Sequence, residues 1–263
     1  MRVGFIGLGT QGKYLAVNLA QAGHDLMVYD VRREPMEELA RAGATIADSP
    51  RAIGHHAEVI AICVADDAQL EAVVFGPEGV LAGAVPESVV VIHSTVEPSS
   101  IAKIAETAAP LKIEVVDAPV SGGEQGAKNK TMSYMVGGSD HAIERCLPLF
   151  QTSGKTITRT GPSGSGIRAK LAHQLIVCIN MLAAYEGMRL GREAGLSSAI
   201  LEEVVHAGGA QSRIADHWSQ VSLRSAMPLF YKDLKICLKF AHELGFSVPG
   251  AALAQQLLEQ IVP

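Results

Sequence analysis

The sequence has no run of Lys or Arg: its 22 basic residues are scattered among 27 acidic ones, for a net charge of −5. That balance leaves no electrostatic footprint for nucleic acid or a polybasic membrane contact, and neither is expected as a partner. The four cysteines, Cys63, Cys146, Cys178 and Cys237, stand singly among apolar neighbours. They lack metal-ligand spacing and the histidines form no cluster, so no metal site is expected and the thiols read as reduced and buried, as in a cytoplasmic protein. The apolar runs are short or interrupted, which predicts no membrane span. "MRVGFIGLG" reads as a short strand entering glycines, not as a signal peptide. No internal repeat and no low-complexity segment appears, and 263 residues suffice for one large domain or two smaller ones.

What is present, to about residue 160, is an alternation of short β-branched runs and amphipathic segments. "RVGFI", "DLMVYD", "EVIAICV", "SVVVIHS" and "IEVVDAP" are the candidate strands. The alternation predicts a doubly wound α/β domain over 1–160, a parallel sheet with helices on both faces. "MSYMVGG" and "KTITRTG" are expected to extend that sheet. After the Gly/Ser-rich "TGPSGSG" at 160–166 the strand signals vanish. An all-helical domain is expected over 161–263, with helices at 165–194, 197–207, 211–221, 231–244 and 249–261. It carries more apolar surface than so short a segment readily buries alone, which predicts a homodimer or homotetramer.

"VGFIGLGTQG" sets Gly7, Gly9 and Gly12 in G-x-G-x-x-G spacing between a strand and a helix. In that context the pattern is a dinucleotide fingerprint of Rossmann type. Gly7 permits the tight turn, Gly9 lets backbone approach a pyrophosphate, and Gly12 lets helix pack on sheet. Leu8, Thr10 and Gln11 complete the turn, and the helix N-terminus adds N–H donors and partial positive charge. Asp30 ends the second strand, where a carboxylate accepts from ribose hydroxyls and favours NAD. Val31 and Arg32 follow it, and Arg32 with Arg33 keeps NADP open, since arginine pairs with a 2′-phosphate. Val64 and Ala65, past the strand "EVIAICV", are further cofactor-site candidates.

These motifs, with "HSTVEP", "DAPVSGGEQGA", "GPSGSGIRAK" and "YKDLKICL", resemble the β-hydroxyacid dehydrogenase family, which includes 3-hydroxyisobutyrate dehydrogenase and tartronate semialdehyde reductase. The resemblance runs over almost the whole chain. It implies an NAD(P)-dependent oxidoreductase acting on a small β-hydroxy acid or its semialdehyde. It also implies that Thr95 lies near the nicotinamide ribose, that Ser121, Gly122 and Gly123 hold the substrate carboxylate, and that Lys232 reaches the cofactor. Backbone donors at an unobstructed turn suit an anion, although a plain turn would use the same residues. Ser94 reads equally as a helix cap, Asp117 as a brace for its turn and Asp233 as a charge at a helix head; a surface lysine is the competing reading of Lys232.

The family's catalytic lysine matches Lys170, near the start of the long helix. Hydride transfer needs a partner for the proton at the substrate oxygen, and lysine in an apolar site can serve as general acid or base. From the helix alone, a lysine with its charge in solvent is the competing reading. Gln174 is four residues on and shares its face. The resemblance implies that Gln174 binds substrate, but the family usually carries asparagine there and often at His173. The segment before "YKDL" is also shorter than its counterparts, and the chain stops at Pro263 where relatives continue. Imine reduction on the same scaffold, which Lys170 argues against, and a cofactor-binding scaffold or sensor without catalysis are the other readings.

Overall fold

Nine strands join in one sheet in the computed structural model, which describes residues 1–263. They are β1 (Arg2–Ile6), β2 (Asp25–Tyr29), β3 (Thr45–Ile46), β4 (Val59–Ile62), β5 (Val89–Ile92), β6 (Glu114–Asp117), β7 (Val120–Ser121), β8 (Met132–Gly137) and β9 (Gly154–Gly161). All belong to the first of two compact units, Met1–Lys170 and Leu171–Pro263. The first six strands run parallel in the order β3-β2-β1-β4-β5-β6. β8 pairs antiparallel with β6 and β7, and β9 runs parallel to β8. The expected strands all form. The sequence reading lacked β3 and β7, two residues each, too short for a hydrophobic period to register.

The central strands are apolar on both faces because helices cover both faces. Val3 and Phe5 of β1 join Leu15 and Leu19 of the helix Gly12–Gln21 in one core. Ile6 turns the other way, into a second core with Ile60, Ile62, Ile92 and Ile53. Gly4 lies between, where an added Cβ would come within 2.2 Å of Ile53.

The second unit is helical. The 29-residue helix Ser165–Glu193 starts in the first unit and enters the second. Ile167, Lys170, Leu171, Gln174, Cys178 and Met181 are all buried along it, a stripe at helical spacing. Contrary to the expectation for the apolar runs, this helix is long and apolar enough to cross a membrane by length and composition. Its stripe is nevertheless used inside the chain: Ile167 packs in a core of the first unit, Cys178 and Met181 in that of the second.

Helices Ser198–Ala207, Met227–Glu243, Pro249–Gln256 and Leu258–Ile261 follow. The helix expected over 211–221 is absent apart from the 3-10 turn Ala215–His217. Ala215 is the one buried residue in that stretch, so no apolar stripe holds further turns. The next helix starts four residues before Tyr231, with Pro228 in its first turn, where the missing N–H costs nothing. The last expected helix is interrupted at Leu257.

Candidate active site

The dinucleotide turn follows β1 at the carboxyl ends of the parallel strands β1 and β4, the edge where open α/β sheets bind ligands. Its three glycines have different reasons to be glycine. Gly7 has φ +92°, and a Cβ there would lie 2.3 Å from the Cys63 carbonyl. A Cβ on Gly12 would lie 2.1 Å from the carbonyl of Gly7. Around Gly9 nothing lies within 4 Å. Two glycines are thus fixed by the protein's own packing, and the third faces open space that a pyrophosphate backbone contact requires.

Asp30 is buried, and its Oδ2 accepts the Leu8 N–H at 2.6 Å, which ties the second strand to the turn. Its Oδ1 accepts from the Arg32 N–H at 2.8 Å and from Arg32 Nε at 3.2 Å. The Arg32 guanidinium also reaches the Leu8 carbonyl at 3.1 Å. Carboxylate and guanidinium therefore stand together at the ribose edge, and Val31 beside them is exposed. A cavity of about 290 Å³ opens here, lined by Leu8, Gly9, Thr10, Lys13, Arg32 and Glu124 among others. Gln11 stands at the head of the helix Gly12–Gln21. These residues fit a dinucleotide: an open backbone turn for the phosphates, a helix N-terminus behind it, and an acceptor and a cation at the ribose edge.

Ser94 is not a helix cap. It is buried after β5, and its Oγ accepts the Val64 N–H at 2.8 Å, joining the loops beyond β4 and β5. Asp67 braces them further, accepting from the Glu97 N–H at 2.9 Å and the Ser100 hydroxyl at 2.5 Å. Val64, the exposed Ala65 and Thr95 lie on these braced loops, Ala65 with its N–H on Gln69 Oε1 at 3.0 Å. The sequence reading passed over Asp67, whose signal was a second acidic residue beside the helix cap Asp66.

Ser121 closes β7 opposite Ser133, and Gly122 and Gly123 follow with φ +136° and +61°. Side chains rarely adopt either value. Nothing lies within 4 Å of a Cβ placed on Gly123, so its backbone is approachable.

Asp117 ends β6, yet its partners are not in the turn it was expected to brace. Its two oxygens accept the N–H groups of Gly164 and Ile167, both at 2.6 Å. It caps the start of the long helix, supplying donors there with the acceptor they otherwise lack. Burial outweighs these bonds and lifts the carboxyl from its ordinary 3.8 to about 6. Gly137 and Gly166 permit the close approach: a Cβ on either would meet Asp117 oxygens within 3 Å. Lys170 is buried three residues past Ile167, on a helix start pinned to the sheet.

In the second unit, Gln174 donates from Nε2 to Asp233 Oδ2 at 2.6 Å, and its Oε1 lies 3.2 Å from His173 Nδ1. Lys232 Nζ lies 3.1 Å from the other oxygen of Asp233. Asp233 is not at a helix head: it lies in the second turn of Met227–Glu243 and is buried. The structure thus joins Gln174 and Lys232 through one carboxylate, with His173 held on the Gln174 amide oxygen.

Comparison with known proteins agrees with the fold. Residues 2–161 match the NAD binding domain of 6-phosphogluconate dehydrogenase. Residues 164–262 match the NAD-binding family of NADP-dependent 3-hydroxyisobutyrate dehydrogenase. The chain is 36% identical to 2-hydroxy-3-oxopropionate reductase of Escherichia coli, over 98% of its own length and 90% of that protein. It is 32% identical to an NAD-dependent L-serine dehydrogenase of Pseudomonas aeruginosa, over 97% and 90%. Among solved structures, a 3-hydroxyisobutyrate dehydrogenase from Salmonella typhimurium superimposes with TM-score 0.84 at 29% identity, over 98% of this chain and 92% of that one.

Proposed function

The chain belongs to the β-hydroxyacid dehydrogenase family, and from that premise we propose that Lys170 handles the proton in its reaction. The chain is an NAD(P)-dependent oxidoreductase acting on a small β-hydroxy acid or its semialdehyde. NAD(P), when bound, supplies the hydride acceptor or donor. The chain's own residues do the rest. Gly9 and the helix behind it take the phosphates, and Asp30 and Arg32 take the ribose edge. Val31, Val64, Ala65, Thr95 and Lys232 complete our reading of the cofactor site. Ser121, Gly122 and Gly123 hold the carboxylate and so orient the carbon that gains or loses hydride. Lys170 accepts the hydroxyl proton as the alcohol is oxidised, and returns it to the carbonyl oxygen on reduction. Gln174 contributes to the substrate site.

One observation carries the lysine assignment: Lys170 is buried on a helix whose first turn is pinned by the Asp117 carboxylate. A lysine with its charge in solvent would need neither burial nor a fixed base. The test is NADH and NADPH oxidation with a panel of semialdehydes, comparing the protein with Lys170→Ala. The first compound to try is 2-hydroxy-3-oxopropionate, named by the Escherichia coli relative. Loss of about 100-fold or more in kcat with cofactor binding retained is expected, the scale of a general acid or base. Equal turnover by the two proteins would end the assignment.

The matched segments, which meet between residues 161 and 164, support dividing the chain into 1–160 and 161–263. Burial of Cys146, Cys178 and Cys237 supports the reading of core thiols in a reducing, cytoplasmic setting. Homodimer or homotetramer assembly is supported by the exposed apolar side chains of the second unit, including Leu190, Ile200, Val204, Leu244 and Phe246.

A further inference from the structure

Asn18 is a buried amide on the helix Gly12–Gln21, well inside the chain's first core. Its nitrogen donates to the Ala127 carbonyl at 2.9 Å and to Ser153 Oγ at 2.8 Å. An amide nitrogen has two N–H donors, and both are used on segments more than a hundred residues away in sequence.

Ala127 belongs to the helix Gly123–Lys128, only six residues long. A helix that short does not hold itself together or in place. Helix ends leave carbonyls short of intrahelical donors; the Ala127 carbonyl accepts the Lys130 N–H at a long 3.4 Å, and Asn18 gives it a further, shorter bond at 2.9 Å. The same helix begins directly at the turn of Ser121, Gly122 and Gly123. Ser153 completes the frame. Its carbonyl accepts the Met132 N–H at 2.9 Å, and Met132 Sδ would lie 2.9 Å from a Cβ on Gly122. Met132 thus packs directly beneath the turn. Glu124, the residue after Gly123, lines the same cavity as Gly9 and Thr10. A slide of the short helix would therefore move this turn relative to the dinucleotide turn.

We infer that Asn18 is a positioning residue: it fixes the carboxylate turn in register with the dinucleotide turn, and hence the substrate with respect to the hydride. The inference rests on the reading of Ser121, Gly122 and Gly123 as the carboxylate site. Asn18→Leu keeps the side chain's size and removes both donors. Two substrates separate the roles: 2-hydroxy-3-oxopropionate, and glyceraldehyde, which carries CH2OH where the acid carries its carboxylate.

With the fold intact by circular dichroism, kcat/KM for the acid falls about 10- to 100-fold, as expected for misplacement of roughly an ångström. NADH binding followed by fluorescence and turnover of glyceraldehyde stay within about twofold of the parent, the acid's carboxylate alone having lost its register. Equal loss on both substrates, or no loss on the acid, overturns the positioning role. Ser121→Ala, run alongside, tests the reading beneath it. If that variant leaves the acid's kcat/KM unchanged, the carboxylate site itself is wrong. If it lowers that value and Asn18→Leu does not, only the role of Asn18 fails. Should Asn18→Leu not fold, Ser153→Ala replaces it. That variant removes one of the two acceptors, and it must show the same discrimination between the two substrates.

Discussion

Gln174 and Asp233 meet inside the second unit, amide nitrogen to carboxylate oxygen at 2.6 Å, with both side chains buried. The extra methylene of glutamine, compared with the asparagine usual in the family, is what spans this distance. Gln174→Asn shortens the side chain and leaves a buried carboxylate short of one donor. Thermal or urea unfolding should show a loss of about 1–3 kcal/mol, the cost of an unsatisfied buried group. KM across the semialdehyde panel should shift with it, since our reading gives Gln174 to the substrate site. Unchanged stability would mean the bond is dispensable.

Two buried groups at neighbouring strand ends give opposite pH dependences. His93 follows β5 among Phe5, Tyr134 and Phe150, its Nδ1–H donating to the Ala118 carbonyl at 2.9 Å and its Nε2 without a partner. Burial lowers it from 6.5 to about 4. The unfolded chain therefore binds more protons between those values, and stability from His93 is lost as pH falls, by roughly 3 kcal/mol in all. Asp117, raised from 3.8 to about 6, does the reverse. There the folded state binds more protons, so its contribution grows by a similar amount, roughly 3 kcal/mol, as pH falls from above 6 to below 4.

Urea unfolding of His93→Gln and Asp117→Asn at pH 7, 5.5 and 4 separates the two. Between pH 7 and 4 the stability deficit of His93→Gln relative to the parent should narrow, and that of Asp117→Asn should widen. Deficits independent of pH in both variants would sink the linkage.

The parts legible in the sequence were those with a local signature. Gly7, Gly9 and Gly12 announce their turn by spacing, and apolar periodicity announces five parallel strands and a long helix. Asp117 was legible only in part. Its place after a strand marked it as a brace, but its partners at Gly164 and Ile167 lie nearly fifty residues on, and no periodicity connects them. Asn18 was silent for the same reason: a polar residue in an amphipathic helix looks solvent-facing until its distant acceptors are seen. The failed helix at 211–221 shows the converse, since local composition favoured it and the missing apolar contacts did not.

Gly9 and Gly12 should respond differently to one added methyl. Gly12→Ala forces a contact of 2.1 Å with backbone and should cost about 2 kcal/mol or more in unfolding experiments. Gly9→Ala enters open space, with a backbone that tolerates a side chain, and should change stability by no more than about 0.5 kcal/mol. It should nonetheless weaken NADH binding by about tenfold, because the methyl occupies the approach to the phosphates. Unaltered affinity in Gly9→Ala would remove the pyrophosphate from this turn.

The helix Ser198–Ala207 buries none of its residues in the chain, although Ile200, Val204 and Leu201 give it an apolar stripe. Leu201 packs against Gly191, where a Cβ would come within 2.4 Å, so one edge is seated and the other is not. Ile200 and Val204 are one turn apart and exposed, with Val204 64% accessible. An isolated helix of ten residues is marginal in water, so a face left this apolar is expected to be covered in the assembled protein. Light scattering coupled to gel filtration should give a dimer or tetramer for the parent. The double variant Ile200→Glu, Val204→Glu should run as a smaller species with its circular dichroism unchanged, because neither side chain contributes to the chain's own cores. A parent that is monomeric at tens of micromolar, or a double variant of unchanged mass, would show that this helix is not the assembly face.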